Sequence, residues 1–172
     1  MMNDLDDEKL ERVVVDLPNH WAEVGAEGMW AKALGNDEYE LRNTPFYAYG
    51  LNWGDIVLAI SPSPDLKPVV SKVTRPSGNR TLRVIFADAV DRERQVELLE
   101  GLSKLGLSYE RATGILVALD IAAETDFDLV VDAVSRLEDQ RLLEFETCEA
   151  RAEGRFDDGP EPEEDIVGEY EN

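Results

Sequence analysis

The 172-residue chain carries 38 acidic residues against 17 basic ones, a formal net charge of −21 at pH 7. That surplus argues against nucleic acid as a partner, because phosphate contacts need Lys and Arg to displace counterions, and against an anionic membrane surface for the same reason. It favours a basic protein partner, since complementary fields speed association.

Residues 1–10 are polar and acidic and read as a lead-in. The β-branched run Val13-Val14-Val15 predicts a strand over 12–17, ended by Pro18-Asn19. A second strand is expected over 28–34. Gly35-Asn36-Asp37 signals a turn, and 38–42 follows with Tyr39 and Leu41 on one face, which makes a hairpin. Residues 43–55 form an aromatic loop. A buried strand over 56–60 comes next, then the proline-rich loop 61–65 and a strand over 69–74. Short strands joined by turns over 11–76 suit a small, partly open β-barrel.

The rhythm changes after residue 76. A strand over 81–86 precedes a helix over 91–105, where Val96, Leu99, Leu102 and Leu105 recur at helical spacing and Gly106 stops it. Two strands flank Gly114, over 107–113 and 115–121. Thr125 or Asp126 caps a second helix over 127–140, with Leu129, Val130, Val134 and Leu137 on one face. A last strand runs over 141–148. The order strand, helix, strand, strand, helix, strand over 77–150 is that of a ferredoxin-like βαββαβ unit. The expected class is therefore α+β. Both helices should pack Val96, Leu99, Leu102, Leu129, Val130, Val134 and Leu137 on a sheet containing Val84, Leu116 and Phe145. Residues 151–172 hold nine acidic residues and two arginines with few apolar groups, and read as a disordered acidic tail.

Several chemistries lack their residues. The single cysteine, Cys148, allows no intramolecular disulfide and no cysteine-based zinc site, and it sits where a small buried apolar residue would. His20 is the only histidine and reads as a surface or loop residue. There is no phosphate-binding glycine motif and no nucleophile elbow. No catalytic residue, metal site or cofactor is assigned. The first residues have neither the basic nor the apolar region of a signal peptide, and no apolar run could span a bilayer, so a cytoplasmic protein is expected.

The segment from Glu27 to Val57 carries the most specific pattern. Glu27, Trp30 and Ala31 are followed by Tyr39 and Leu41, then by Asn43, Pro45, Phe46, Ala48 and Gly50, then by Gly54, Asp55 and Val57. With Ser77-Gly78, Leu82-Arg83-Val84 and Leu119-Asp120-Ile121 further on, this resembles an uncharacterised bacterial family, domain of unknown function 4265, over roughly residues 11–148. The family often has proline where Ala122 stands, and the resemblance implies no particular activity.

The loop itself admits two readings. Pro45 fixes φ, Asn43 can hold the turn, and Gly50 and Gly54 permit positive φ. The loop either caps the barrel core or presents Tyr47, Tyr49, Trp53 and Asp55 as a binding surface. Three functions follow in order. The first is a non-enzymatic acidic interaction protein, an immunity or antitoxin-like inhibitor of a basic bacterial toxin. The second is a small-molecule-binding or regulatory module using the aromatic loop. The third is an enzyme using the carboxylates of Asp55 or Glu27.

Overall fold

The computed structural model describes residues 9–150 and 154–158. The fold is mixed α+β, with mostly antiparallel strands in two sheets and two helices. Five strands come first: β1 (Leu10–Leu17), β2 (Gly25–Gly35), β3 (Glu38–Leu41), β4 (Ile56–Ile60) and β5 (Val69–Arg75). They pair in sequence as antiparallel neighbours and close into a barrel. The closing contact is parallel, with Val14 opposite Val69 and the Val14 amide donating to the Pro68 carbonyl at 2.8 Å.

Period-two alternation explains which residues fill the barrel. Val13, Val15 and Leu17 of β1 point inward with Met29 and Ala31 of β2, Leu41 of β3, and Val57 and Ala59 of β4. The β2–β3 hairpin turns at Asn36 and Asp37, both with positive φ (55° and 62°), as a two-residue primed turn requires. β2 begins three residues before its expected start, at Gly25, which brings Glu27 into the strand.

The second sheet contains β6 (Arg80–Phe86), β7 (Leu107–Arg111), β8 (Leu116–Ile121) and β9 (Leu143–Thr147), in the order β7-β8-β6-β9 and antiparallel throughout. Helices α1 (Arg92–Ser103) and α2 (Phe127–Asp139) cover one face. Asp91 and Asp126 cap them, each accepting from amides of the first turn. Gly106 ends the α1 connection at φ +100°, and a Cβ there would lie 2.7 Å from Thr125 Oγ1.

Leu82, Val84 and Phe86 of β6, Val117, Leu119 and Ile121 of β8, and Leu143 of β9 meet Leu99, Leu102, Val130 and Val134 in one core. Leu137 and Phe145 pack at its edge. Three expected core members are placed differently. Val96 is exposed because the buried stripe of α1 runs through Gln95 instead, and Leu129 is exposed because that of α2 runs through Val130 and Val134. Gln95 donates to the Val90 and Gly114 carbonyls and accepts from Arg111. Leu116 is one residue out of phase with Val117 and so faces away from the helices.

The disordered tail expected from residue 151 does not hold for residues 154–158. Phe156 is buried in the barrel cluster, and its carbonyl accepts from the Tyr49 amide at 2.8 Å. Asp157 accepts from the Asn19 amide at 3.1 Å. An aromatic ring among acidic residues is enough to dock a short segment where the barrel end offers apolar surface. The rest of the expected tail and residues 1–8 of the lead-in lie outside the described residues.

Candidate functional site

The face of the second sheet opposite the helices carries Thr81, Arg83 and Ile85 of β6, Leu116 and Asp120 of β8, and Glu144 and Glu146 of β9. The loop 43–55 between β3 and β4 lies against this face. Arg83 is only 2% exposed and holds the loop from below. Its Nη1 donates to the Ala48 carbonyl (2.7 Å) and the Pro45 carbonyl (3.3 Å), and its Nη2 to the Tyr47 carbonyl (3.2 Å). Its Nε pairs with Glu146 at 3.0 Å across the β6–β9 ladder, where the two residues face each other. Thr81 donates to Asn52 Oδ1 at 2.9 Å, and the Gly50 amide to the Cys148 carbonyl at 2.7 Å. Gly50 has φ +77°, and a Cβ there would lie 2.7 Å from Ala150 Cβ, so the approach of the loop to the sheet requires glycine.

Two carboxylates fix the loop from within. Glu27 accepts from three successive amides, Phe46 (2.7 Å), Tyr47 (3.0 Å) and Ala48 (2.8 Å). Consecutive amides turned toward one anion form a nest, here filled by the chain's own side chain. Asp55 accepts from the Asn52 amide (2.9 Å) and the Ser77 amide (2.8 Å), tying the loop to the segment between the two sheets.

The four residues read as a surface do not form one. Tyr49 and Asp55 are buried (3% and 1% exposed), because each is used to hold the loop. Tyr47 is half-buried and packs on the barrel core. Trp53 is half-buried elsewhere, with the Arg42 guanidinium 5.8 Å from its ring centroid and its carbonyl accepting from Ser77 Oγ at 2.7 Å. His20, expected at the surface or in a loop, lies in the loop between β1 and β2 and is buried. The Ala22 amide donates to its Nδ1 (3.0 Å), so Nε2 carries the proton and donates to the Tyr47 carbonyl (2.8 Å). Both ring nitrogens are thereby occupied.

An open surface lies beside these anchors. Trp21, Phe46, Ile85, Leu116 and Phe145 line a cleft of about 270 Å³ at the junction of barrel and sheet, with Arg83, Glu144 and Glu146 at its polar side. Trp21 is 61% exposed, yet its indole is fixed, because Nε1 donates to Tyr49 Oη at 2.8 Å. That hydroxyl in turn donates to Glu146 Oε2 at 2.7 Å. Burial, and then this bond to Glu146, push the Tyr49 phenol up to about 12, so it stays a donor at neutral pH. The chain from Trp21 through Tyr49 and Glu146 to Arg83 sets one wall of the cleft before anything binds. Sequence reasoning did not place Trp21, Phe46 or Glu144 at the site. The available signals were a tryptophan in a polar turn and the Glu-Phe-Glu alternation of β9.

Two groups with the chemistry for covalent or acid–base work, Cys148 and Glu27, are engaged in the fold. Burial pushes the Cys148 thiol up to about 12, which leaves it un-ionised and a poor nucleophile. Glu27 is held by its three amides. Among the described residues no group of three His, Cys, Asp or Glu could hold a metal ion, and no helix is long and apolar enough to cross a membrane.

Three carboxyls at the seam between loop and sheet have raised pKa values. Burial is the main cause for Asp55, Glu110 and Asp120, partly offset by bonds from Ser77 and Asn52, from the Thr44 amide, and from Asn79 respectively. The folded state therefore binds more protons than the unfolded one above the ordinary carboxyl value of about 4. Stability should then fall as pH rises from that value through the raised folded ones. The melting temperature is expected to be higher at pH 5 than at pH 7. It should remain so in high salt, which screens general surface repulsion but not buried groups. A melting temperature that is flat or lower at pH 5 in high salt would contradict this account.

The family model described as domain of unknown function (DUF4265) matches residues 27–145. The chain belongs to this family. The family region contains Phe46, Arg83, Ile85, Leu116, Glu144 and Phe145 of the cleft, while Trp21 and Glu146 lie just outside it. No curated protein matches the chain. Among solved structures it is similar to a hypothetical protein from Neisseria gonorrhoeae, described as a novel crystal structure. The two share 15% identity with a TM-score of 0.67, over 81% of this chain and 94% of the other. At that identity the likeness is one of fold.

Proposed function

We propose that this DUF4265 protein is a cytoplasmic, non-enzymatic interaction protein that binds and inhibits a basic partner, in the manner of an immunity protein or antitoxin acting on a basic bacterial toxin. The observation that carries the reading is the cleft lined by Trp21, Phe46, Ile85 and Leu116, an exposed apolar pocket flanked by Glu144 and Glu146 in a chain of net charge −21. A pre-set aromatic wall supplies a desolvated anchor, and the surrounding carboxylates steer a cationic surface to it. The division of labour fits a small barrel followed by a ferredoxin-like module. The strand order β7-β8-β6-β9 and the helices on one face support that description of the second half. A small-molecule-binding or regulatory module is the second reading, favoured by the cleft's partial enclosure at the junction of the two sheets.

The test uses the full chain as bait in a lysate of its own cells, with partners identified by mass spectrometry. A protein of basic isoelectric point is expected, whose toxicity on expression is relieved by co-expression of this chain. Its association should weaken as ionic strength shortens the screening length to about 8 Å and below. Captured proteins that are no more basic than those on a control matrix, or toxicity unrelieved by co-expression, would refute the reading.

A further inference from the structure

We infer that the cleft receives an arginine side chain of the basic partner, its guanidinium stacked on the Trp21 indole and paired with Glu144. The inference rests on the reading above and names the chemistry of the anchor.

The protein already builds this arrangement within itself, and two instances are close. Arg80 lies 3.4 Å from the centroid of the Phe127 ring and pairs with Glu149. Arg83 lies 4.6 Å from the Tyr49 centroid and pairs with Glu146. In each case a planar guanidinium meets an aromatic face and a carboxylate together, the geometry in which arginine surpasses lysine. The cleft offers the aromatic and carboxylate parts of a further such set. Trp21 and Phe46 supply the aromatic faces. Glu144 supplies an exposed carboxylate, for which no ion pair occurs among the described residues.

Charge selects the same occupant. The cleft and the broader hollow beside it, which shares Ile85, Glu144 and Phe145, are lined by Asp88, Glu138, Glu144 and Glu146 against Arg83 and Arg141. Arg83 and Glu146 offset each other, and Asp88, Glu138 and Glu144 outnumber Arg141, so the field felt by a guest is negative. The indole cannot turn away to close the cleft without losing its bond to Tyr49.

The experiment titrates the full-length, isotope-labelled protein with acetyl-Gly-Arg-Gly-amide and separately with its lysine counterpart, followed by amide and indole NMR shifts. With the arginine peptide, shifts should centre on the Trp21 indole, Phe46 and residues 144–146, with at least several-fold weaker effects from the lysine peptide. Trp21→Ala should weaken binding about thirtyfold and Glu144→Gln about fivefold, in the ranges of a hot-spot aromatic and an exposed ion pair. Both residues are exposed, so the fold should persist in each variant, as checked by the dispersion of the remaining shifts. Equal shifts from both peptides, or shifts scattered over the surface and insensitive to either variant, would overturn the assignment. If a basic partner is captured and binds Trp21→Ala as tightly as wild type, the arginine anchor falls while the interaction reading stands. If the peptide maps to the cleft but no basic partner exists, the anchor chemistry stands and the interaction reading falls.

Discussion

Replacing Arg83 with alanine is expected to cost about 3–5 kcal/mol, a large share of the roughly 5–15 kcal/mol that holds a domain of ordinary size. The reason is what the substitution leaves behind. The carbonyls of Pro45 and Ala48 lose the Arg83 donor at a buried seam, that of Tyr47 keeps only the bond from His20, and Glu146 loses the cation across the ladder. A buried acceptor without a partner forfeits its desolvation cost in full. Tyr49 also loses the guanidinium over its ring. Lysine should restore little, since one ammonium cannot reproduce a fork that reaches a carboxylate and three carbonyls from one plane. Equilibrium denaturation of Arg83→Ala and Arg83→Lys tests this. A denaturation midpoint for Arg83→Ala close to that of wild type would show that the loop is held by other contacts. The same variant should disturb the cleft, because Glu146 and Tyr49 set the indole of Trp21 through the chain of bonds that begins at Arg83.

Phe156→Ala should cost a comparable amount, about 3–5 kcal/mol, as truncation of a buried phenylalanine does. At this chain length that corresponds to a drop in melting temperature on the order of 10 °C. The ring is packed with the barrel core, next to an end bounded by Pro18 and Val70. Its backbone carbonyl and the Asp157 carboxylate also tie the segment to Tyr49 and Asn19, so truncation after residue 150 should destabilise at least as much as the point change. Unchanged thermal melts for both variants would mean that the barrel is complete without this segment. The outcome bears on function, since the tie to Tyr49 lies directly behind the wall of the cleft.

Much of the architecture was legible in the chain. Val13, Val15 and Leu17 alternate as a barrel strand must, Asn36-Asp37 turns its hairpin, and Asp91 and Asp126 cap helices that begin where expected. The family pattern from Glu27 to Val57 was also legible, and the family match covers it. The phase of the helix stripe was less so. Val96 and Leu129 have the right spacing for a core and are exposed, while Gln95 is buried because Val90, Gly114 and Arg111 meet its amide. Periodicity gives the spacing of a buried face, but the neighbouring sheet decides which residues that face contains.

The site shows the same division more sharply. Composition and motif content bounded the partner class and left no ready catalytic set, and the loop 43–55 stood out by its aromatics. Which aromatics are open was settled only in three dimensions. Tyr49 is buried because Trp21, Glu146 and Phe156, separated from it by 28, 97 and 107 positions, converge on it. Glu27 is a structural anchor because three amides about twenty positions away turn toward it. Short-range chemistry acts between neighbours and leaves a trace in local sequence: turns, caps and alternation. Exposure is a sum over surfaces brought together by chain folding, and a side chain's own neighbours carry no record of that sum. The sequence by itself therefore determined the elements, the charge and the family. Only the tertiary structure decided that the loop's own tyrosine is an anchor, and that the open cleft belongs to Trp21, Phe46 and Glu144, drawn from three distant parts of the chain.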